Sequence, residues 1–437
     1  VGLFAPPPPA APVSAGEVEQ KYEYWRNRVL YSTFIGYAVF YFVRKNMTCA
    51  MPGLQKEMGL GKDQLGGFLT LHSLLYGISK FLNGVAADRC NARTFLVTGL
   101  VLSALMNYCF GFASGAITLG VVWVLNGWFQ GMGYPPCARL LSHWFAPSER
   151  GLKWGIWNTS HQIGGTIILW LGGWLGEHYG WRAIFWVPAS IAVLVSLLMY
   201  ERLRDVPASV GLPPVEEYLT GQTQGEVGPA PQIEAPPPEE FAAQLRRRVF
   251  GNPYLWLICL GNFFVYAVRY VYFDWWPTYL TEERHFQLSQ AGQITSYFEL
   301  AGAAGALLAG FISDRWLNGK RNGVCLFYLA CTLLTILCYR QMPVMGYWQE
   351  SLAVACLGFF IYGPQFLVGV MAAGISGKEA AASAIGLTGF FGYLSGILSG
   401  YGLGVLVKSY GWDASFQLTL GCCAGALVCF ALCGRKV

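Results

Sequence analysis

Residues 94–122 read TFLVTGLVLSALMNYCFGFASGAITLGVV, and residues 380–407 read AAASAIGLTGFFGYLSGILSGYGLGVLV. Neither stretch holds a charged side chain, and each exceeds the about 20 residues that a helix needs to cross a bilayer core. The composition agrees with them. Of 437 residues, 54% are hydrophobic and 12% are charged, against roughly 25% charged in a soluble domain. The chain therefore reads as an all-α membrane protein. Working outward, twelve apolar spans are predicted near 29–52, 65–86, 94–114, 117–141, 152–176, 182–200, 253–280, 290–312, 323–341, 346–371, 381–407 and 413–433.

The polar segment between the sixth and seventh spans carries Pro213-Pro214 and Pro236-Pro237-Pro238 and too little apolar surface to fold alone. It divides the chain into a Pro-rich tail expected to be disordered (1–20), a six-helix bundle (21–205), a linker (206–250) and a second six-helix bundle (251–437). The opening VGLFAPPPPAAPVSAGEVEQ lacks the basic segment and apolar core of a cleavable signal.

The halves repeat each other. Gly36, Tyr41 and Arg44 recur as Gly261, Tyr266 and Arg269; Gly84, Asp88 and Arg89 recur as Gly310, Asp314 and Arg315; Tyr179-Gly180-Trp181 recurs as Tyr410-Gly411-Trp412. The order is kept at nearly one offset, which indicates two parallel repeats, an architecture of secondary transporters. Basic residues concentrate at the termini and in the loops that follow even-numbered spans. The opposite loops hold only Lys56, Lys62, Arg182, Arg284, Arg340 and Lys408. By the positive-inside rule both termini and the linker are cytoplasmic.

Five basic residues remain inside spans: Arg44, Lys45, Lys80, Arg139 and Arg269. Each costs at least about 2.5–3.5 kcal/mol there, so an intramembrane charge marks a watery cavity and a function. For Lys45 and Arg139, snorkelling or packing against a neighbour is as good a reading. Arg44 and Arg269 occupy matching positions in the repeats, and each has a tyrosine three residues earlier, Tyr41 and Tyr266, on the same helical face. Tyr37 extends that face. Two guanidinium groups brought together repel until an oxyanion arrives, and their planar forks match phosphate oxygens. The alternative is that each arginine pairs privately with an acid, Asp274 or Glu299. Asp274 lies about 140° round the helix from Arg269.

The thirteen cysteines are scattered through apolar segments without metal or disulfide spacing. No GxxxxGK[ST] loop and no nucleophile–base pair is present. No cofactor, metal or enzymatic activity is therefore expected, and transport would be driven by gradients; the net charge of +5 is no nucleic-acid signal, because the basic residues sit in loops between spans.

Arg150-Gly151 followed by WNTSHQIGG (157–165) resembles the signature of the organophosphate:phosphate antiporters of the major facilitator superfamily. Only Gln162 departs, standing where the pattern has Asn. The likeness continues in YFVRKN (41–46), YGISKFLNGVAADR (76–89), GYPPCARLL (133–141), DWWPTYL (274–280) and YGPQ (362–365). Through KYEYWR (21–26) and ERLRDVPASVGLP (201–213) it is nearest the family's bacterial hexose-phosphate transporter/sensor branch. The resemblance implies a major facilitator fold in the bacterial inner membrane. It also implies exchange of a hexose 6-phosphate, glucose 6-phosphate first, for inorganic phosphate by rocker-switch alternating access; a monomer is expected.

Carried over by position, Arg44 and Arg269 match phosphate-binding arginines, and His161 and Lys80 match cavity residues. Tyr37, Tyr41, Tyr76, Tyr266, Tyr362, Gln365 and Tyr393 match lining positions. Asp88, Arg89, Asp314 and Arg315 look like the loop motif that latches the cytoplasmic gate. An unperturbed imidazole titrates near pH 6.5, so His161 could follow the charge of a phosphate whose second pKa is about 6. The alternatives are a membrane sensor of external hexose phosphate that acts through a kinase partner, and a glycerol-3-phosphate transporter.

Overall fold

A computed structural model describes residues 4–87, 90–220, 246–316, 321–344, 346–377 and 380–434. Among these residues every regular element is helical. Eight helical stretches are each long and apolar enough to cross a membrane: Ala92–Phe112, Ala183–Arg202, Pro253–Glu282, Leu288–Ser313, Arg321–Gln341, Tyr347–Ser376, Ser383–Tyr410 and Asp413–Cys433. The other expected spans are also helical, but they are interrupted or carry polar groups. The first runs as α1 (Val18–Lys45) and α2 (Met47–Met58), and the second as α3 (Lys62–Ala87). After α4 (Ala92–Phe112), the fourth runs as α5 (Ala116–Gln130) and α6 (Tyr134–Trp144). The fifth runs as α7 (Pro147–Asn158) and α8 (Ser160–Tyr179), and α9 (Ala183–Arg202) follows it.

The helices gather into two compact units. One comprises Val1–Asn46, Leu75–Ile168 and Phe185–Glu234; the other comprises Met47–Leu74, Leu169–Ile184 and Ala235–Val437. This division differs from the expected split at 206–250, because two pieces of the first half belong with the second. Glycine explains how. A Cβ on Gly66 would stand 2.4 Å from the carbonyl oxygen of Gly400, and one on Gly292 would stand 2.3 Å from that of Leu169. Only hydrogen at these positions lets the backbones meet, which is how helices associate where lipid removes the hydrophobic drive. Thr70 adds a hydrogen bond to the Gly396 carbonyl at 2.7 Å, and Lys62 pairs with Glu282 at 2.8 Å.

Two expectations about polar segments are corrected. The proline-rich start is ordered from Phe4. Ala10 N donates to Ala208 O and Val13 N to Gly211 O, both at 2.9 Å, while Asn91 N donates to Phe4 O at 2.9 Å. A segment with few apolar side chains is held instead by its backbone and by Phe4, whose ring meets Phe95 edge-on. The first part of the expected linker folds as well. Leu212 and Val215 are buried in the core of the first unit, and Tyr218 stacks on Tyr22 with ring centroids 4.1 Å apart. Residues 221–245 lie outside the described residues.

Arg139 packs against its neighbours. It donates to the carbonyl of Ala87 at 2.6 Å and reaches Asp205 at 3.3 Å, tying helix ends together.

Candidate phosphate-binding residues

Each of the paired arginines stands two residues before an irregularity in its helix. Arg44 precedes the break at Asn46, and Arg269 precedes a π-helical turn, Val271–Trp275, that follows α10 (Pro253–Tyr270). In the first unit the break has a clear cause. The Val43 carbonyl accepts from the side-chain amides of Asn107 and Asn126, both at 2.9 Å. Asn46 donates to Asn107 at 2.7 Å. These three asparagines satisfy backbone and amide groups that lipid could not, and they fix the turn on which Arg44 sits. They were not among the candidates read from the sequence. Their signal was an uncharged amide inside each of three membrane spans.

Around Arg44 the first unit collects the expected side chains. The guanidinium lies 3.9 Å from the Tyr76 ring centroid and 5.4 Å from that of Tyr41. Such cation–π contacts hold a cation without neutralising it. Tyr41 neighbours His161 at 5.5 Å between ring centroids, and Tyr37 packs on Trp157 at 4.8 Å. The Lys80 ammonium lies 4.0 Å over the Tyr134 ring. Gly164, from the signature, makes this possible. A Cβ there would come within 2.3 Å of the Ala38 carbonyl oxygen, so α8 can lie on the backbone of α1 and carry His161 beside Tyr41. The His161 ring nitrogen Nδ1 bonds the carbonyl of Asn158 across the break between α7 and α8. Arg44, Tyr37, Tyr41 and Tyr76 are buried; His161 and Lys80 are half-buried.

The second unit builds a counterpart. Arg269 Nε donates to the Tyr362 hydroxyl at 2.8 Å, and its ring neighbours include Tyr266 at 5.8 Å. Tyr362 donates in turn to Glu299, whose carboxylate lies 3.6 Å from the Arg269 terminal nitrogen. All three are buried. The private pairing of Arg269 with an acid is thus present, and the acid is Glu299. Gln365 Nε2 approaches the Tyr266 hydroxyl at 3.5 Å, and Tyr393 packs on Tyr266 at 6.4 Å between centroids. Tyr393 lies two residues before another irregularity, at Ser395, ahead of a π-helical turn, Ile397–Gly402.

The candidate gating residues are described only in part. Asp88 and Arg89 lie outside the described residues, as does the side chain of Asp314; Arg315 is exposed at the end of its helix, Leu288–Arg315.

Each unit thus offers a buried guanidinium set among tyrosines, chemistry that suits an oxyanion. Residues 33–400 match the model of the Major Facilitator Superfamily. The chain is 39% identical to the "Probable hexose phosphate transport protein" of Chlamydia pneumoniae, over 98% of this chain and 95% of that one. It is 38% identical to the glycerol-3-phosphate transporter of Bacillus subtilis, over 99% and 97%. It is 37% identical to the membrane sensor protein UhpC of Escherichia coli, over 92% and 90%. Among solved structures, a bacterial homologue of the human lysosomal transporter Spinster superposes with a TM-score of 0.74 at 17% identity, over 94% of this chain and 97% of that one. That likeness concerns the fold. The chain belongs to the Major Facilitator Superfamily, to the branch that holds these phosphate-ester transporters and the related sensor.

Proposed function

We propose that this protein is a secondary transporter of the bacterial inner membrane that exchanges a hexose 6-phosphate, glucose 6-phosphate first, for inorganic phosphate. The observation that carries the reading is the repeated construction around Arg44 and Arg269. Each is a buried guanidinium two residues before a helix irregularity, with a tyrosine three residues earlier and further tyrosines over its face. Both arginines hold the phosphoryl group, which sugar ester and free phosphate share. The surrounding tyrosines and Gln365 meet the sugar hydroxyls.

The reading includes twelve spans in two parallel six-helix repeats, both termini in the cytoplasm, rocker-switch alternating access, and a latch formed by Asp88, Arg89, Asp314 and Arg315. The names of the relatives support the substrate class. That one of them is a membrane sensor favours a second reading, in which the same site reports external hexose phosphate to a kinase partner.

Proteoliposomes distinguish the two. Vesicles loaded with phosphate should take up labelled glucose 6-phosphate, and empty vesicles should not. Tight binding without phosphate-dependent uptake would support the sensor. Equal uptake of free glucose would remove the phosphate-centred mechanism.

A further inference from the structure

Four arginines crowd one edge of the first unit, where the start of α4 and the end of α9 meet α1, and the Glu201 carboxylate is bonded to two of them. Glu201 accepts from Arg28 at 3.1 Å and from Arg202 at 2.6 Å. Arg204 makes no direct ion pair among the described residues, although Glu201 lies close enough to act on its charge. Its guanidinium donates to the carbonyls of Glu201 and Leu203 and lies 4.6 Å over the Trp25 ring. Arg93 has neither a hydrogen bond nor an acid among the described residues; its guanidinium lies 4.7 Å over the Tyr200 ring. The crowding has an electrostatic signature. Partial burial, with Arg93 and Arg28 nearby, lowers the pKa of Arg204 from its ordinary value.

The aromatic groups in this cluster, Tyr24, Trp25, Tyr31 and Tyr200, are of the type that gathers where a membrane meets water. An exposed apolar surface runs away from the arginines. Leu197 and Leu194 follow Tyr200 at three-residue steps along α9, 65% and 66% exposed, and Val101 and Leu105 are exposed on α4. Tyr108 and Ser190 join the two helices further along, with their hydroxyls 2.6 Å apart.

We propose that Arg93, Arg204, Arg28 and Arg202 form a binding site for the phosphodiester headgroup of an anionic glycerophospholipid, with an acyl chain along the face of α4 and α9. An anion placed against Arg93 and Arg204 supplies the negative charge that the protein leaves out, and basic pockets between spanning helices bind such headgroups. A soluble phosphate would use the arginines but not the apolar surface beside them, so the lipid is the better fit.

The test uses the purified full chain and native mass spectrometry, with phosphatidylglycerol and phosphatidylcholine of the same acyl chains. The wild type should retain phosphatidylglycerol preferentially. Arg93→Gln removes no protein hydrogen bond and should fold; it should lower that preference about five-fold, as about 1 kcal/mol per arginine near a charged surface implies. Arg93→Gln with Arg204→Gln should lower it further. Equal retention of the two lipids by the wild type, or an unchanged preference in Arg93→Gln, would overturn the site. Displacement of phosphatidylglycerol by millimolar inorganic phosphate would make it a soluble-anion site and overturn the lipid assignment.

Discussion

Arg269 and Glu299 face each other at 3.6 Å in the interior of the second unit, and Tyr362 is hydrogen-bonded to both. A phosphate that is to be held by Arg269 must therefore compete with a carboxylate already there. Such competition is useful in an exchanger, because the empty site keeps its charge compensated and the ligand is not held too tightly to leave. Breaking a buried pair from one side costs about 3–5 kcal/mol, chiefly because the remaining charge is left uncompensated. Glu299→Gln should accordingly lower the melting temperature of the ligand-free protein, and added phosphate should recover more stability than it gives the wild type. Thermal unfolding in detergent, with and without phosphate, checks this. A destabilised variant that phosphate does not rescue would confine Glu299 to a packing role.

His161 lies beside Tyr41 in the same cluster as Arg44. His161→Ala should weaken binding and alter how affinity varies between about pH 5.5 and 7.5, where an unperturbed imidazole and a phosphate both titrate. The Asp63–Lys408 pair does not complicate this window. The hydrogen bond from Lys408 holds the Asp63 carboxyl below its ordinary value. A depressed carboxylate contributes fully above its unfolded pKa of about 3.9 and loses that contribution only as the pH falls through the lowered value. Binding titrations across the range decide the matter. An unchanged affinity and pH profile would return His161 to a helix-packing role.

The crossing at Gly66 and Gly400 predicts a steric result. A methyl group on Gly66 would meet backbone at 2.4 Å, whereas one on the adjacent Gly67 would find only the Tyr401 ring, at 4.0 Å. Gly66→Ala should strongly slow exchange by opposing this arrangement, and Gly67→Ala should behave as wild type. Counterflow in proteoliposomes measures both. Normal exchange by Gly66→Ala would show that transport does not require the close crossing.

The repeat made the arginine pair legible, and a three-residue spacing made their tyrosines legible, because both depend only on position along the chain. The 140° separation weighed against Asp274 as a partner of Arg269, but it did not foretell the ion pair that Arg269 makes with Glu299. What stayed hidden depends on contacts distant in sequence. Nothing local says that Asn107 and Asn126 will take the Val43 carbonyl and break α1 behind Arg44. Composition likewise misread residues 4–14, whose order comes from backbone hydrogen bonds to the segment after α9.

If Arg44 and Arg269 grip one phosphoryl group, the decisive experiment is binding of inorganic phosphate and glucose 6-phosphate to purified Arg44→Lys, Arg269→Lys and Tyr393→Phe proteins. Lysine keeps the charge but loses the two-pronged geometry. A charge-assisted hydrogen bond is worth about 1.5–3 kcal/mol, so either arginine variant should bind both ligands roughly ten-fold to a hundred-fold more weakly. Tyr393→Phe should instead penalise the sugar ester more than free phosphate. A correctly folded Arg44→Lys or Arg269→Lys protein that binds phosphate as the wild type does would rule out the two-arginine grip.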